Sequence, residues 1–107
     1  VKLDCEELAR TIMECFDNSM DNQFTSEERI DFLVQGKKLR GSLVNLLSAN
    51  FHQGTMEVER ANKSIKEINE KLKEKNKRLN NTADIVGDVA ELVSILDDLL
   101  KLAAGYV

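Results

Sequence analysis

IKEINEKLKEKNKRLNNTADIVGDVAELVSILDDLLKL, residues 65–102, decides the fold. Ile65, Ile68, Leu72 and Leu79 stand at heptad a and d positions, and Val86, Val89, Val93, Leu96 and Leu100 continue the same frame. Ile85, Leu92, Ile95, Leu99 and Leu102 broaden the stripe in its second half. Between the halves lie Asn80, Asn81 and Thr82, which favour caps and turns over helix interiors. If heptad phase governs, residues 56–104 form one long, bent helix. If the polar triplet governs, the chain turns there and a four-helix bundle results. The unbroken phase favours the long helix.

Upstream, His52-Gln53-Gly54-Thr55 reads as a turn, with Gly54 just past a helix end. Before it, Thr25-Ser26-Glu27-Glu28 has the spacing of a capping box and opens a helix that runs to about Phe51. Its apolar residues (Ile30, Phe32, Leu33, Val34, Leu39, Leu43, Val44, Leu46, Leu47, Phe51) fill well over half the circumference. Only Asp31, Gln35, Lys38, Ser42 and Asn45 form a polar strip. So wide an arc calls for more than one neighbour. Folded back at Gly54, the next helix would set Lys77 and Arg78 opposite Glu27 to Asp31. Residues 18–25, NSMDNQFT, form a loop. Asp4 caps a first helix over residues 4–18, with Glu6 and Glu7 in its first turn and Leu8, Ile12, Cys15 and Phe16 as its stripe.

Composition agrees with a single all-helical domain over residues 1–107. The chain is 42% hydrophobic and 32% charged, with no proline and five glycines. A loop-rich or β-rich domain of this size would place prolines in its turns. The expected fold is all-α: an antiparallel helical hairpin or bundle ending in the long heptad-patterned stretch. A start at Val1 rather than methionine fits a piece of a longer chain.

The net charge of −4 conceals a segregation. Residues 1–35 carry −6, residues 36–80 carry +6 and residues 81–107 carry −4. Alternating blocks suit helix–helix contact better than a basic face for nucleic acid. In the Lys-rich stretch Glu59–Lys63, Glu67–Lys71 and Glu74–Arg78 are i,i+4 pairs, the lysines are spread around the helix, and no aromatic residues are interleaved for base stacking. Neither a signal-peptide pattern nor an uncharged run of about 18 residues is present, so an intracellular, cytoplasmic protein is expected.

Motifs of catalysis and metal binding are weak. His52 is the one histidine, and no metal-ligand spacing joins it to Cys5 or Cys15. Those cysteines, on one helix, would lie about 15 Å apart, too far for a disulfide. Gly36-Lys-Lys-Leu-Arg-Gly41-Ser42 lacks the lysine and the preceding strand of a phosphate loop. Its glycines suit close helix approach instead. No catalytic residue, cofactor or metal is expected.

Two charges interrupt apolar arcs. Arg40 falls between Leu33, Val44 and Leu47, and Asp88 falls beside Leu92, Ile95 and Leu99. Each either reaches solvent along the arc's edge or is paired across an interface, because an unpaired buried charge costs several kcal/mol. Arg40, Asp88, Leu92, Val93, Leu96, Leu99 and Leu100 are therefore the candidate partner-contacting residues. In the long-helix arrangement everything past residue 82 would project beyond the second helix. Two such chains would cover each other's C-terminal stripes as a homodimer. The expected function is structural: helices that mediate self-association or assembly with another helical protein. The alternative is a lipid-binding protein using residues 85–107, whose acidic polar face has the wrong sign for anionic membranes.

Overall fold

The computed structural model describes residues 2–48, 56–74 and 82–103. Within them, 89% of residues are helical and none is in a strand. The helices are α1 (Cys5–Ser19), α2 (Ser26–Ser48), α3 (Met56–Lys73) and α4 (Thr82–Ala103).

Local chemistry sets the starts of α1 and α2. The Asp4 carboxylate accepts from the Glu7 amide at 3.0 Å and caps α1. At α2 the capping box closes in both directions: Glu28 N donates to Thr25 Oγ1 at 3.1 Å, and Thr25 N donates to Glu28 Oε1 at 2.8 Å. Two of the amides left open at a helix start are thereby satisfied. Phe24, in the connecting loop, is buried edge-on against Phe32, with ring centroids 5.1 Å apart. That contact ties the loop to the core.

The expected continuous helix over 56–104 is not formed. α3 ends at Lys73, α4 begins at Thr82, and the two pack side by side. A continuous helix of that span would be about 73 Å long, whereas the longest dimension of the molecule is 42 Å. The heptad phase does not pass through unbroken either. Val58, Ala61, Ile65, Ile68 and Leu72 fill the core from α3, but the buried rows of α4 are Val89–Leu96 and Ile85–Leu92–Leu99. Val86, Val93 and Leu100, which would continue the α3 frame, are only half-buried. One row keeps its phase and the other slips by a residue. Phe51, His52, Gly54, Leu79, Asn80 and Asn81 lie outside the described residues.

Each of α1 and α4 packs on both α2 and α3, so α2 and α3 stand diagonally across the bundle. This overturns the expected pairing of α2 with α3; Lys77 and Arg78, its proposed basic members, lie outside the described residues. A six-residue connection makes α1 and α2 antiparallel. Bonds from Lys2 and Asp4 to Asn62, and from Glu7 to Asn69, show that α1 and α3 run parallel. The core is one cluster along the bundle axis, with Leu8 and Cys15, Phe32, Leu39 and Leu46 completing it from α1 and α2.

Candidate interaction surface

The rotation of α2 about its axis leaves several large apolar side chains of this helix on the surface. Phe32, Gly36, Leu39, Ser42 and Leu46 form its buried face. Ser42, expected on the polar strip, is thus inside, and Gln35 is half-buried. The apolar arc is as wide as its sequence implies, but the chain covers only part of it. Ile30, Val34, Val44 and Leu47 are 59%, 41%, 55% and 67% exposed.

Gly36 lies on the buried face, where α2 meets α1. A Cβ built there would lie 3.1 Å from Cys15 Cβ and 3.2 Å from Phe16 Cε1. A side chain there would press on α1, so glycine eases the close approach of the two helices on this face of α2. Gly41 differs: among the described residues a Cβ at that position would meet nothing within 4 Å.

At helical spacing the outward residues of α2 form their own seam. Ile30, Lys37 and Val44 occupy one row, and Leu33, Arg40 and Leu47 the adjacent one. Leu33 is half-buried beside α1, where it lines a shallow hollow with Ser19, Ser26, Arg29 and Ile30. The Arg40 guanidinium is 5.6 Å from the centre of the Phe16 ring. Arg40 is exposed, and this contact sets its guanidinium at the α1–α2 edge.

The other candidates lie elsewhere. Leu92, Leu96 and Leu99 are buried within the chain, and Val93 and Leu100 pack half-buried against the same core. The C-terminal stripe is therefore covered by α2 and α3, and the premise that it projects uncovered past residue 82 falls. Asp88 is paired inside the chain: its Oδ2 accepts from Lys71 Nζ at 2.6 Å, joining α4 to α3. The sequence-predicted residues are not brought into one site. Arg40 alone lies on the exposed face of α2.

Two residues that anchor the bundle escaped the sequence reading. Asn62 Nδ2 donates to the Lys2 carbonyl and its Oδ1 accepts from the Asp4 amide, both at 2.7 Å. Asn69, fully buried, donates from Nδ2 to Glu7 Oε1. The signal available was two asparagines seven residues apart, adjacent to an apolar seam on α3.

Burial pushes the Cys15 thiol up to about 12, and Cys5 is raised by burial and by Asp4. Both shifts run opposite to the lowering that activates a nucleophilic thiol. Among the described residues no three His, Cys, Asp or Glu side chains converge on a metal position. None of the described helices is long and apolar enough to cross a membrane. The α3–α4 groove sets Arg60, Lys63 and Lys71 among Glu67, Asp88 and Glu91, a mixed and largely self-compensating lining. Comparison of the chain with protein-family models, with curated proteins and with solved structures finds no match.

Proposed function

We propose that this chain is an assembly protein whose bundle presents the outer face of α2 to another helix, either in a second copy or in a different helical protein. The observation that carries the reading is the exposure of Ile30, Val34, Val44 and Leu47 along one face of a single helix. Isolated exposed apolar side chains are ordinary, but an aligned set is the usual mark of an association surface. The buried C-terminal stripe moves the proposed contact from α4 to α2. No catalytic step or cofactor enters the proposal.

Light scattering over a dilution series, combined with titration of synthetic amphipathic helices bearing apolar seams, tests it. The expected result is either a mass above the 12.1 kDa of one chain or saturable binding of a helix, with Ile30→Glu and Leu47→Glu abolishing whichever is seen. A monomer that binds none of the helices, whatever their central residues, refutes the proposal.

A further inference from the structure

We infer that the occupant of the α2 face is a helix of another protein, apolar at both ends of its contact stripe and acidic in the middle. The inference rests on the assembly reading above and adds the chemistry of the partner. In order along α2, the seam runs Ile30, Leu33, Lys37, Arg40, Val44, Leu47: two apolar layers, two cationic layers, two apolar layers. Its length is about 25 Å at 1.5 Å per residue.

A second copy fits this seam badly. With the two seams centred on each other, a parallel copy sets Lys37 on Lys37 and Arg40 on Arg40. An antiparallel copy sets Lys37 on Arg40 twice. Both crowd four cations into the middle of the contact, an arrangement that suppresses pairing. Sliding by one heptad relieves the repulsion but presses the cations against apolar residues, which strands buried charge.

A helix with carboxylates in its two central layers removes both difficulties. Among the described residues neither Lys37 nor Arg40 has a carboxylate at ion-pair distance, so both are open to an external one. Stacking on Phe16 restrains Arg40, which lowers the ordering cost of a pair formed there. Gly41 is a separate observation. It lies mid-helix on the exposed side, where glycine costs up to about 1 kcal/mol relative to alanine, and among the described residues no neighbouring group fills the space beside it. A partner backbone crossing close to α2 would use that gap.

The test uses the full chain and synthetic helices of about three heptads with leucine in the outer seam layers and glutamate, leucine or lysine in the two central ones. Fluorescence anisotropy should show the glutamate-centred helix binding at least roughly tenfold more tightly than the other two, and weakening with salt. The double variant Lys37→Glu/Arg40→Glu should reverse the order in favour of the lysine-centred helix. Both positions are exposed, and circular dichroism checks that the variant keeps its helices. Tightest binding by the leucine-centred helix overturns the acidic partner and leaves the docking face standing. A dimer of the unaccompanied chain that Val44→Glu dissociates makes a second copy the occupant and also overturns it. So does flotation on phosphatidylserine vesicles, lost in the double variant, without binding of any helix. Failure of every arm removes the docking face itself.

Discussion

Asn69 of α3 donates its side-chain amide to Glu7 Oε1 of α1 from a fully buried position. The bond holds the Glu7 carboxyl below the usual carboxylate range, Asn69 contributing most and Arg10, whose Nη1 lies 2.6 Å from Glu7 Oε2, adding to it. With Asn62 gripping the segment before α1, it fixes the parallel register of α1 on α3. Asn69→Ala removes a hydrogen bond to a charged acceptor and should cost about 1.5–3 kcal/mol in denaturant titration.

Acid should weaken the same contact. A carboxyl lowered in the folded state binds fewer protons there than in the unfolded chain, so its contribution is complete above the unfolded value and is lost as pH falls through the folded one. Glu7→Gln should flatten the acid limb of the stability profile, measured by thermal unfolding between neutral pH and strong acid. An unchanged limb would show that other carboxyls govern it.

The Lys71–Asp88 pair should matter less. Lys71 is half-exposed, and a bridge of this kind contributes at most about 1 kcal/mol and fades with salt. Asp88 raises the Lys71 ammonium above its ordinary value. The contribution is therefore present at neutral pH and is lost as pH rises through the raised value. Lys71→Ala and Asp88→Ala should each cost little, and the charge-swapped double variant should recover most of the loss.

Gly36 and Gly41 should respond oppositely to alanine. At Gly36 the new Cβ meets Cys15 Cβ, an atom tied to the backbone that cannot swing aside. Overpacking of about 1–3 kcal/mol should outweigh the gain in helix propensity. At Gly41 the space is open, so alanine should stabilise the isolated chain by about 0.5–1 kcal/mol. Paired urea titrations of the two variants separate the cases.

Arg40→Ala should cost no more than about 1 kcal/mol, the range of an exposed cation–π contact, since the structure pairs Arg40 with Phe16 rather than with a buried acid. A loss of about 3–5 kcal/mol would signal a desolvated partner charge in the assembled protein.

Thiol labelling checks the core directly. Cys15 is fully buried, and its thiolate is disfavoured up to about pH 12. At neutral pH a thiol reagent should modify Cys5 slowly and Cys15 only on unfolding. Cys5→Ser should leave a folded protein with no reactive thiol. Rapid modification of that variant under native conditions would mean that α1 is not seated as described.

Capping and periodicity were legible in residues 1–107 because both depend on neighbours a few positions away. Asp4 and the Thr25–Glu28 box open the helices where their chemistry requires, and the α3 stripe through Ile65, Ile68 and Leu72 is buried as its spacing implies. The break between α3 and α4 was less legible. Val86, Val93 and Leu100 continue the α3 heptad frame and Ile85, Leu92 and Leu99 stand one residue off it; both rows are apolar, and packing on α2 and α3 buries the second more deeply. The exposed face of α2 was hidden for a related reason. A helix that is apolar over most of its circumference has no rotation preferred by burial alone. The tertiary packing makes the choice: α1 closes on α2 where Gly36 lies beneath Cys15 and Phe16, and that fit between distant segments leaves Ile30, Val34, Val44 and Leu47 outside.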